Sequence, residues 1–226
     1  LSFLSSAVQN GAALVIADKP IHDSPIPALV VSDLKSRIGE FSSWFYGYPS
    51  RSMTMLGITG TNGKTTTVEM TAKILQTAGL KAVACGNVGD TVIEAVDREE
   101  PFDYLVLELS SFQLHWMKEA QFVAAAILNI AEDHLDWHGD LDKYAQAKFS
   151  ILDRSEIAVL NGNDIEIVKR SNNFSGRKIY FRLDTPAPGE LGVVEELLVD
   201  RAFVSDPQQA AMICELTDVI PTVPHN

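Results

Sequence analysis

The chain reads Thr59-Gly60-Thr61-Asn62-Gly63-Lys64-Thr65-Thr66 between a predicted strand, residues 53–59, and a predicted helix, residues 64–78. Its glycines let main-chain N–H groups turn toward one point, and the N-terminus of the following helix adds partial positive charge there. The Lys64 ammonium can reach terminal phosphate oxygens, and the Thr65 hydroxyl can bind the accompanying Mg²⁺. Ile58 stands where the strict Walker motif has its first glycine. The strand–loop–helix setting nevertheless predicts phosphate binding.

Around this loop, apolar runs typical of strands alternate with stretches typical of helices. Strands are predicted at residues 81–85, 104–109, 123–129 and 157–160, and helices at residues 91–97 and 141–152. Two further strands are predicted at residues 178–181 and 202–204. The alternation predicts an α/β fold with a mostly parallel sheet flanked by helices.

The first 50 residues differ from this pattern and predict a small α/β region ahead of the main domain. A helix is predicted at residues 3–10, a buried strand at 12–17 and another strand at 28–31. A second helix is predicted from Asp33 to about residue 46, with Ser32 as its N-cap. We therefore expect two domains, residues 1–50 and 51–226.

Charge and composition restrict the class of protein. The 226 residues carry a formal net charge of -12. A chain this acidic lacks the basic surface that a nucleic-acid binder needs. The two cysteines cannot form a disulfide framework, no apolar run reaches membrane-spanning length, and the start lacks the basic segment of a signal peptide. We expect a cytoplasmic protein without nucleic-acid or membrane partners.

Polar residues follow several predicted strands, where ligands gather in such sheets. Glu108 closes the most apolar strand, and a buried carboxylate needs a partner such as Mg²⁺. His134 could be a general base, a hydrogen-bond donor or a loop histidine with satisfied hydrogen bonds. Lys148 alone is typical of an ordinary helix lysine. Glu132, Asp136 and His138 could orient the ligating residues from behind, but they are interpreted here as solvated loop residues.

The phosphate loop resembles that of the Mur ligases and of folylpolyglutamate synthetase, families that make amide bonds through an acyl-phosphate. The stretches Leu107-Glu108-Leu109-Ser110-Ser111-Phe112-Gln113-Leu114 and Asp133-His134-Leu135-Asp136, followed by Tyr144-x-x-x-Lys148, resemble the Mur ligases in particular. This resemblance implies ATP and Mg²⁺ as cofactors. It also implies that Lys148 reacts with CO₂ to form a carbamate and that His134 serves a second Mg²⁺.

The resemblance implies a set of site residues. Those implied in catalysis are Lys64, Lys148 and His134. Those implied in nucleotide binding are Gly60, Thr61, Asn62, Gly63, Lys64, Thr65, Thr66 and Asn226. Those implied in substrate binding are Asn87, Ser110, Gln113 and His134. Those implied in metal binding are Thr65, Glu108, His134 and Lys148.

Two parts of the chain resemble different Mur ligases. Residues 80–164 are similar to the ligases that add D-glutamate to UDP-N-acetylmuramoyl-L-alanine in peptidoglycan precursor synthesis. Residues 1–50 are similar to the end of the UDP-binding-type N-terminal domain of ligases that add a diamino acid or lysine. The alternatives are therefore a ligase of that second kind or a non-catalytic hybrid.

The last residues, Pro224-His225-Asn226, resemble the start of a nucleotide-contacting His-Asn-x-x-Asn segment of the family. Because the family's third domain follows that segment, we expect it to be absent and the chain to have little or no activity by itself.

Overall fold

The computed structural model describes residues 3–206 and 208–219, which fall into two compact units, Leu1–Gly47 and Tyr48–Asn226. The first unit contains helix α1 (Leu4–Gln9), strands β1 (Val15–Ala17) and β2 (Ala28–Val30), and helix α2 (Leu34–Phe45). Strands β1 and β2 pair in parallel as a separate two-stranded sheet. The predicted elements of this region are therefore present.

Two expectations about the first unit are wrong. The strand predicted as buried exposes Ile16 by 37%, because a two-stranded sheet is too small to enclose its own side chains. The residue before α2 is Asp33, not Ser32, and it adopts a left-handed conformation with φ of 56° and makes no side-chain cap. Helix α2 therefore starts from a main-chain turn.

A nine-stranded sheet organises the second unit. In chain order its strands are β3 (Thr54–Thr59), β4 (Ala82–Gly86), β5 (Tyr104–Glu108), β6 (Phe122–Ile127), β7 (Ser155–Asn161), β8 (Arg177–Phe181), β9 (Leu191–Val194), β10 (Leu197–Asp200) and β11 (Ala211–Glu215). In space the order is β11-β10-β9-β8-β7-β6-β3-β5-β4. Every pairing from β4 across to β9 is parallel, and only β10 pairs antiparallel with its two neighbours. The predicted mostly parallel sheet is confirmed.

In the described part of this unit, six α-helices connect the strands. They are α3 (Lys64–Thr77), α4 (Val92–Val96), α5 (Ser111–Trp116), α6 (Leu135–His138), α7 (Leu141–Phe149) and α8 (Ile165–Arg170). The helix predicted at residues 141–152 ends early, and a 3-10 turn at Leu152–Arg154 follows it. Helices α5 and α6 have only six and four residues, so their hydrophobic periodicity is too short to be read from the sequence.

The strand predicted at residues 202–204 is wrong. Strand β10 precedes it, and the Asp200 carboxylate accepts hydrogen bonds from the main-chain N–H groups of Ala202 and Phe203 at 2.7 and 2.9 Å. An aspartate that bonds the main chain just after itself forms a turn. This turn ends the strand where the apolar residues alone suggested that one begins.

Strand order places the phosphate loop at the centre of one sheet edge. Strand β3 lies between β5 and β6, so the loop after Thr59 is flanked by the ends of both neighbours. The side chains of β5 are buried from Leu105 to Glu108. A methyl group built on Gly57 of β3 would lie 2.7 Å from Ile151 Cδ1, so the glycine allows close packing there.

In the part of the chain that the structure describes, no helix has both the length and the apolarity to cross a bilayer.

Candidate functional site

Hydrogen bonds within the phosphate loop and with Asn129, which follows β6, fix the conformation of the loop. Gly63 precedes α3 with a left-handed φ of 78° and no side-chain cap, which leaves the first N–H groups of a 14-residue helix available to an anion. The side chain of Asn129 accepts from Asn62 N at 2.7 Å and donates to Asn62 O at 3.1 Å. The Lys64 ammonium donates to Thr61 O at 2.9 Å, within the loop itself.

Glu108 lies beside this loop and is 3% exposed. One carboxylate oxygen accepts from the Thr65 hydroxyl at 2.7 Å, and the other accepts from the Asn87 amide at 3.2 Å. Among the described residues Glu108 forms no ion pair within 4 Å. Two neutral donors and the more distant positive charge of Lys148 offset part of the cost of burying its charge. An ionised carboxylate and a hydroxyl oxygen side by side are hard ligands of the kind that Mg²⁺ takes, so the pair fits a cation.

No three His, Cys, Asp or Glu side chains of residues 3–206 and 208–219 are grouped to hold a metal by themselves. A cation bound at Thr65 and Glu108 would therefore take its remaining ligands from phosphate oxygens and water, as Mg²⁺ commonly does.

Lys148 is a buried lysine next to the loop, not the ordinary helix lysine that its sequence context indicated. It is 2% exposed, and its ammonium donates to Gly60 O at 2.8 Å. Burial first, and the nearby Lys64 second, lower the pKa of Lys148 to about 7. A buried amine that loses its proton near neutrality can act as a nucleophile.

Tyr144 connects Lys148 to the phosphate loop, which the sequence analysis missed. The Lys148 Nζ lies 4.7 Å from the centroid of the Tyr144 ring, and the Tyr144 hydroxyl is 3.1 Å from the Thr61 hydroxyl. Thr61 in turn accepts from Ala131 N at 3.0 Å. The sequence feature that could have predicted this contact is the spacing of Tyr144 and Lys148, since residues four apart on a helix share a face.

His134 is a half-exposed residue whose side chain contacts Asp133 and Phe112. It precedes α6 with a left-handed φ of 51°, and its side chain is half exposed. Its Nε2 is 3.5 Å from Asp133, and its ring centroid is 4.9 Å from that of Phe112. It makes no hydrogen bond to Thr65, Glu108 or Lys148, all of which the structure describes.

Ser110 and Gln113 are joined at the start of α5. Gln113 N donates to the Ser110 hydroxyl at 3.2 Å, and Ser110 N donates to the Gln113 side-chain oxygen at 2.8 Å, which forms a reciprocal capping box. No described residue accepts a hydrogen bond from the Gln113 side-chain N–H₂ group, which can therefore donate to a ligand at this helix start.

His138 is not a solvated loop residue, so that expectation is wrong. It ends α6, is 7% exposed, and its Nε2 lies 2.9 Å from the Ser111 hydroxyl. Asp164, which no sequence pattern singled out, accepts from Ile130 N at 2.9 Å and caps α8. This residue secures the chain after β6. Asn226 lies outside the described residues.

Comparison with known proteins agrees with this geometry. Residues 58–212 match the family model of the Mur ligase middle domain. The chain is 49% identical over 177 residues to the UDP-N-acetylmuramoylalanine--D-glutamate ligase of Streptomyces coelicolor, covering 76% of this chain and 38% of that protein. It is 43% identical over 234 residues to the Nocardia farcinica protein of the same name, covering 98% of this chain and 46% of that protein.

A solved structure of a MurF ligase from Thermotoga maritima in complex with ADP shares the fold, with a TM-score of 0.62 and 22% identity. The match covers 88% of this chain and 48% of that one. The chain thus spans less than half the length of each of these relatives. Because the family model covers most of the sequence, the chain belongs to the Mur ligase family and contains its middle domain.

Proposed function

We propose that this chain is the ATP-binding part of a ligase that adds D-glutamate to UDP-N-acetylmuramoyl-L-alanine in peptidoglycan precursor synthesis. The observation that carries the ATP-binding role is the 2.7 Å contact between Thr65 of the phosphate loop and the buried carboxylate of Glu108. The amino-acid choice rests on the similarity to proteins named as D-glutamate ligases.

In this proposal, residues 60–66 bind the nucleotide's phosphates. The main-chain N–H groups at the start of α3 face the terminal phosphates, and Lys64 exchanges its bond to Thr61 O for a phosphate oxygen. Asn226 adds a nucleotide contact by resemblance alone. The enzyme's task is to bring the terminal phosphate of ATP close to the carboxylate of the acceptor, and the positive charge of Lys64 lowers the repulsion between these two anions.

Mg²⁺ is proposed at Thr65 and Glu108, with His134 and Lys148 serving a second ion by resemblance. When bound, it neutralises phosphate charge during phosphoryl transfer. Glu108 is suited to this place because it lies at the end of β5 and is fixed by Asn87 as well as by Thr65.

Lys148 is proposed to form a carbamate. Its neutral amine attacks CO₂, a C–N bond forms, and a proton leaves to solvent. The product is an anionic carboxylate in place of a cation. Its pKa of about 7 supports this, because a large share of the amine is neutral at physiological pH.

The acceptor's muramoyl-alanine end is proposed to bind Asn87, Ser110, Gln113 and His134. ATP phosphorylates its carboxylate, the amine of D-glutamate attacks the acyl-phosphate, and phosphate leaves. Gln113 offers its N–H₂ group and His134 a half-exposed imidazole for this purpose.

We also propose that residues 1–50 are the end of a UDP-binding-type N-terminal domain and that residues 51–226 are the middle domain. Apolar side chains of the small sheet support this, since Leu29 and Val30 of β2 are about half exposed. Such side chains suit strands that belong to a larger sheet.

The test is a substrate panel with the natural full-length protein. Phosphate release and product mass are measured with Mg·ATP, each UDP-linked acceptor, and D-glutamate, lysine or diaminopimelate. We expect product only from UDP-N-acetylmuramoyl-L-alanine with D-glutamate, and none from the Lys64→Ala variant. Ligation of lysine or diaminopimelate instead would overturn the amino-acid assignment and leave the ATP site standing.

A further inference from the structure

His138 is a buried polar side chain that the proposed reaction does not use. It is the last residue of α6, the short helix that His134 precedes. Its Nε2 lies 2.9 Å from the hydroxyl of Ser111, which is the first residue of α5 and 2% exposed. This hydrogen bond therefore joins α6, which follows His134, to α5, which follows Ser110.

Phe112 reinforces this connection. Its ring stacks on that of His138, with centroids 5.6 Å apart and planes 22° apart, and its centroid is 4.9 Å from that of His134. The ring of His138 also meets the edges of Trp137 and Tyr144. The position of α6 relative to α5 is thus set by one polar contact within an aromatic cluster of Phe112, Trp137, His138 and Tyr144.

The protonation state of His138 suits a fixed contact. Burial first, and then the neighbouring His115 and His134, lower the pKa of His138. This lowered pKa favours the neutral ring. A neutral imidazole has one donor and one acceptor nitrogen, and a hydroxyl can pair with either. An apolar side chain could fill the same space, but it would leave the buried Ser111 hydroxyl without this partner.

We infer that His138 is a positioning residue, whose hydrogen bond to Ser111 holds His134 at the distance from Ser110 and Gln113 that the acceptor requires. The inference rests on the proposed function, because it assigns these three residues to the acceptor. The hydrogen bond between His138 and Ser111 does not include the residues that hold the phosphate loop, namely Asn129, Ala131 and Tyr144. The His138 ring does pack against Tyr144, and a phenylalanine at position 138 keeps a ring at that contact.

Kinetics of the natural full-length protein test this inference. His138→Phe keeps an aromatic ring against Phe112 and removes the hydrogen bond, Ser111→Ala removes the partner, and His138→Gln restores a polar group at the end of the side chain. We expect the first two to raise the KM for the UDP-linked acceptor roughly tenfold, as loss of one buried hydrogen bond predicts. The KM for ATP should stay within about twofold. His138→Gln should recover most of the acceptor affinity.

The double variant Ser111→Ala/His138→Phe distinguishes positioning from general destabilisation. If the two residues act through one bond, its KM is no higher than that of the worse single variant. The inference would be refuted if the increase in acceptor KM of the double variant equalled the product of the two single-variant increases. It would also be refuted if the variants lowered kcat and left the KM for the acceptor unchanged, because loss of folded enzyme lowers kcat alone.

A spectroscopic measurement separates failure of this inference from failure of the proposed function. In the same protein with ¹³C-labelled histidine rings, the resonance missing from His138→Gln belongs to His138. We expect Ser111→Ala to shift it whichever amino acid the enzyme adds. An unmoved resonance would contradict the contact even if D-glutamate ligation is observed.

Discussion

At the scale of single residues, Glu108 is the clearest case in which sequence position and physical chemistry agreed. A carboxylate that closes an apolar strand must find partners, and the structure provides Thr65 and Asn87. Lys148 is the opposite case. Nothing about the amino acid itself indicates burial, because lysines are rarely buried, and only the packing of α7 against the phosphate loop explains it.

Replacing Glu108 by glutamine tests the charge at this position. The Glu108→Gln variant retains an acceptor for Thr65 but removes the negative charge, and we expect ligase kcat to fall roughly a hundredfold or more. The measurement is steady-state phosphate release by the natural full-length protein. Glu99→Gln, a change of the same kind at an exposed position, is the control. Equal activity of the two variants would contradict a role for the Glu108 charge.

The low pKa of Lys148 predicts a pH-dependent carbamate. Above a pKa of about 7 the amine is mostly neutral and reacts with CO₂, whereas below it the ammonium cannot. With ¹³C-bicarbonate, we expect a carbamate NMR signal that grows as pH rises through about 7 and is missing in Lys148→Arg. A signal that persists in Lys148→Arg would assign it to another amine.

The same pKa shift has a consequence for stability. The folded-state pKa of Lys148 is depressed below the ordinary lysine value of 10.5. Between these values the unfolded chain binds more protons than the folded one, so the contribution of Lys148 to stability improves as pH rises from about 7 toward 10.5.

At the scale of elements, the strand ends position the site. Gly86 ends β4 with a left-handed φ of 106°, and a methyl group there would lie 2.6 Å from Glu108 O. Its neighbour Asn87 donates through its main-chain N–H to the same carbonyl at 3.0 Å. The close approach of β4 to β5 at this end therefore needs glycine.

Gly86→Ala should destabilise the fold by about 2–4 kcal/mol, because it adds steric overlap to the strain of a left-handed residue. Gly79→Ala is the matched control, since φ there is 84° and nothing lies within 4 Å of the added methyl. It should cost only about 1–2 kcal/mol. Urea unfolding measures the free energy of unfolding of both variants. Equal decreases would show that the overlap between the added methyl group and Glu108 O is relieved without destabilising the fold.

Two capping boxes of the same design allow a paired comparison. Ser110 and Gln113 cap α5, and Thr91 and Glu94 cap α4. Ser110→Ala and Thr91→Ala should each lower the free energy of unfolding by about 1 kcal/mol. Only Ser110→Ala should also raise the acceptor KM of the full-length protein. An equal rise in both variants would place the effect in stability instead of in acceptor binding.

At the scale of the whole molecule, the second unit is organised by one large sheet and its covering helices. Ile151 follows α7, is fully buried, and packs where β3 has Gly57. Ile151→Ala should reduce the free energy of unfolding by about 2–5 kcal/mol through the cavity that it leaves. Ile165→Ala, at a position 81% exposed, should change it by less than about 0.5 kcal/mol. Similar losses in urea unfolding would contradict the packing at β3.

The sequence by itself was sufficient for the α/β class, for the strand–loop–helix arrangement around residues 60–63 and for placing Glu108 at the end of a strand beside that loop. These features depend on local properties, namely apolar runs of strand length, glycines before a helix and the rule that parallel strands end together. The same local patterns could not predict short helices such as α6, or the turn at Asp200 that replaced an expected strand.

Only the tertiary structure decided that Lys148 and His138 are buried, that Tyr144 joins the lysine to Thr61, and that Ser111 pairs with His138. The contacts of Tyr144 with Thr61 and of Ser111 with His138 unite residues far apart in the chain, and their existence depends on strand order and helix placement. Burial and pKa follow from what surrounds a side chain, and those surroundings exist only after the chain has folded.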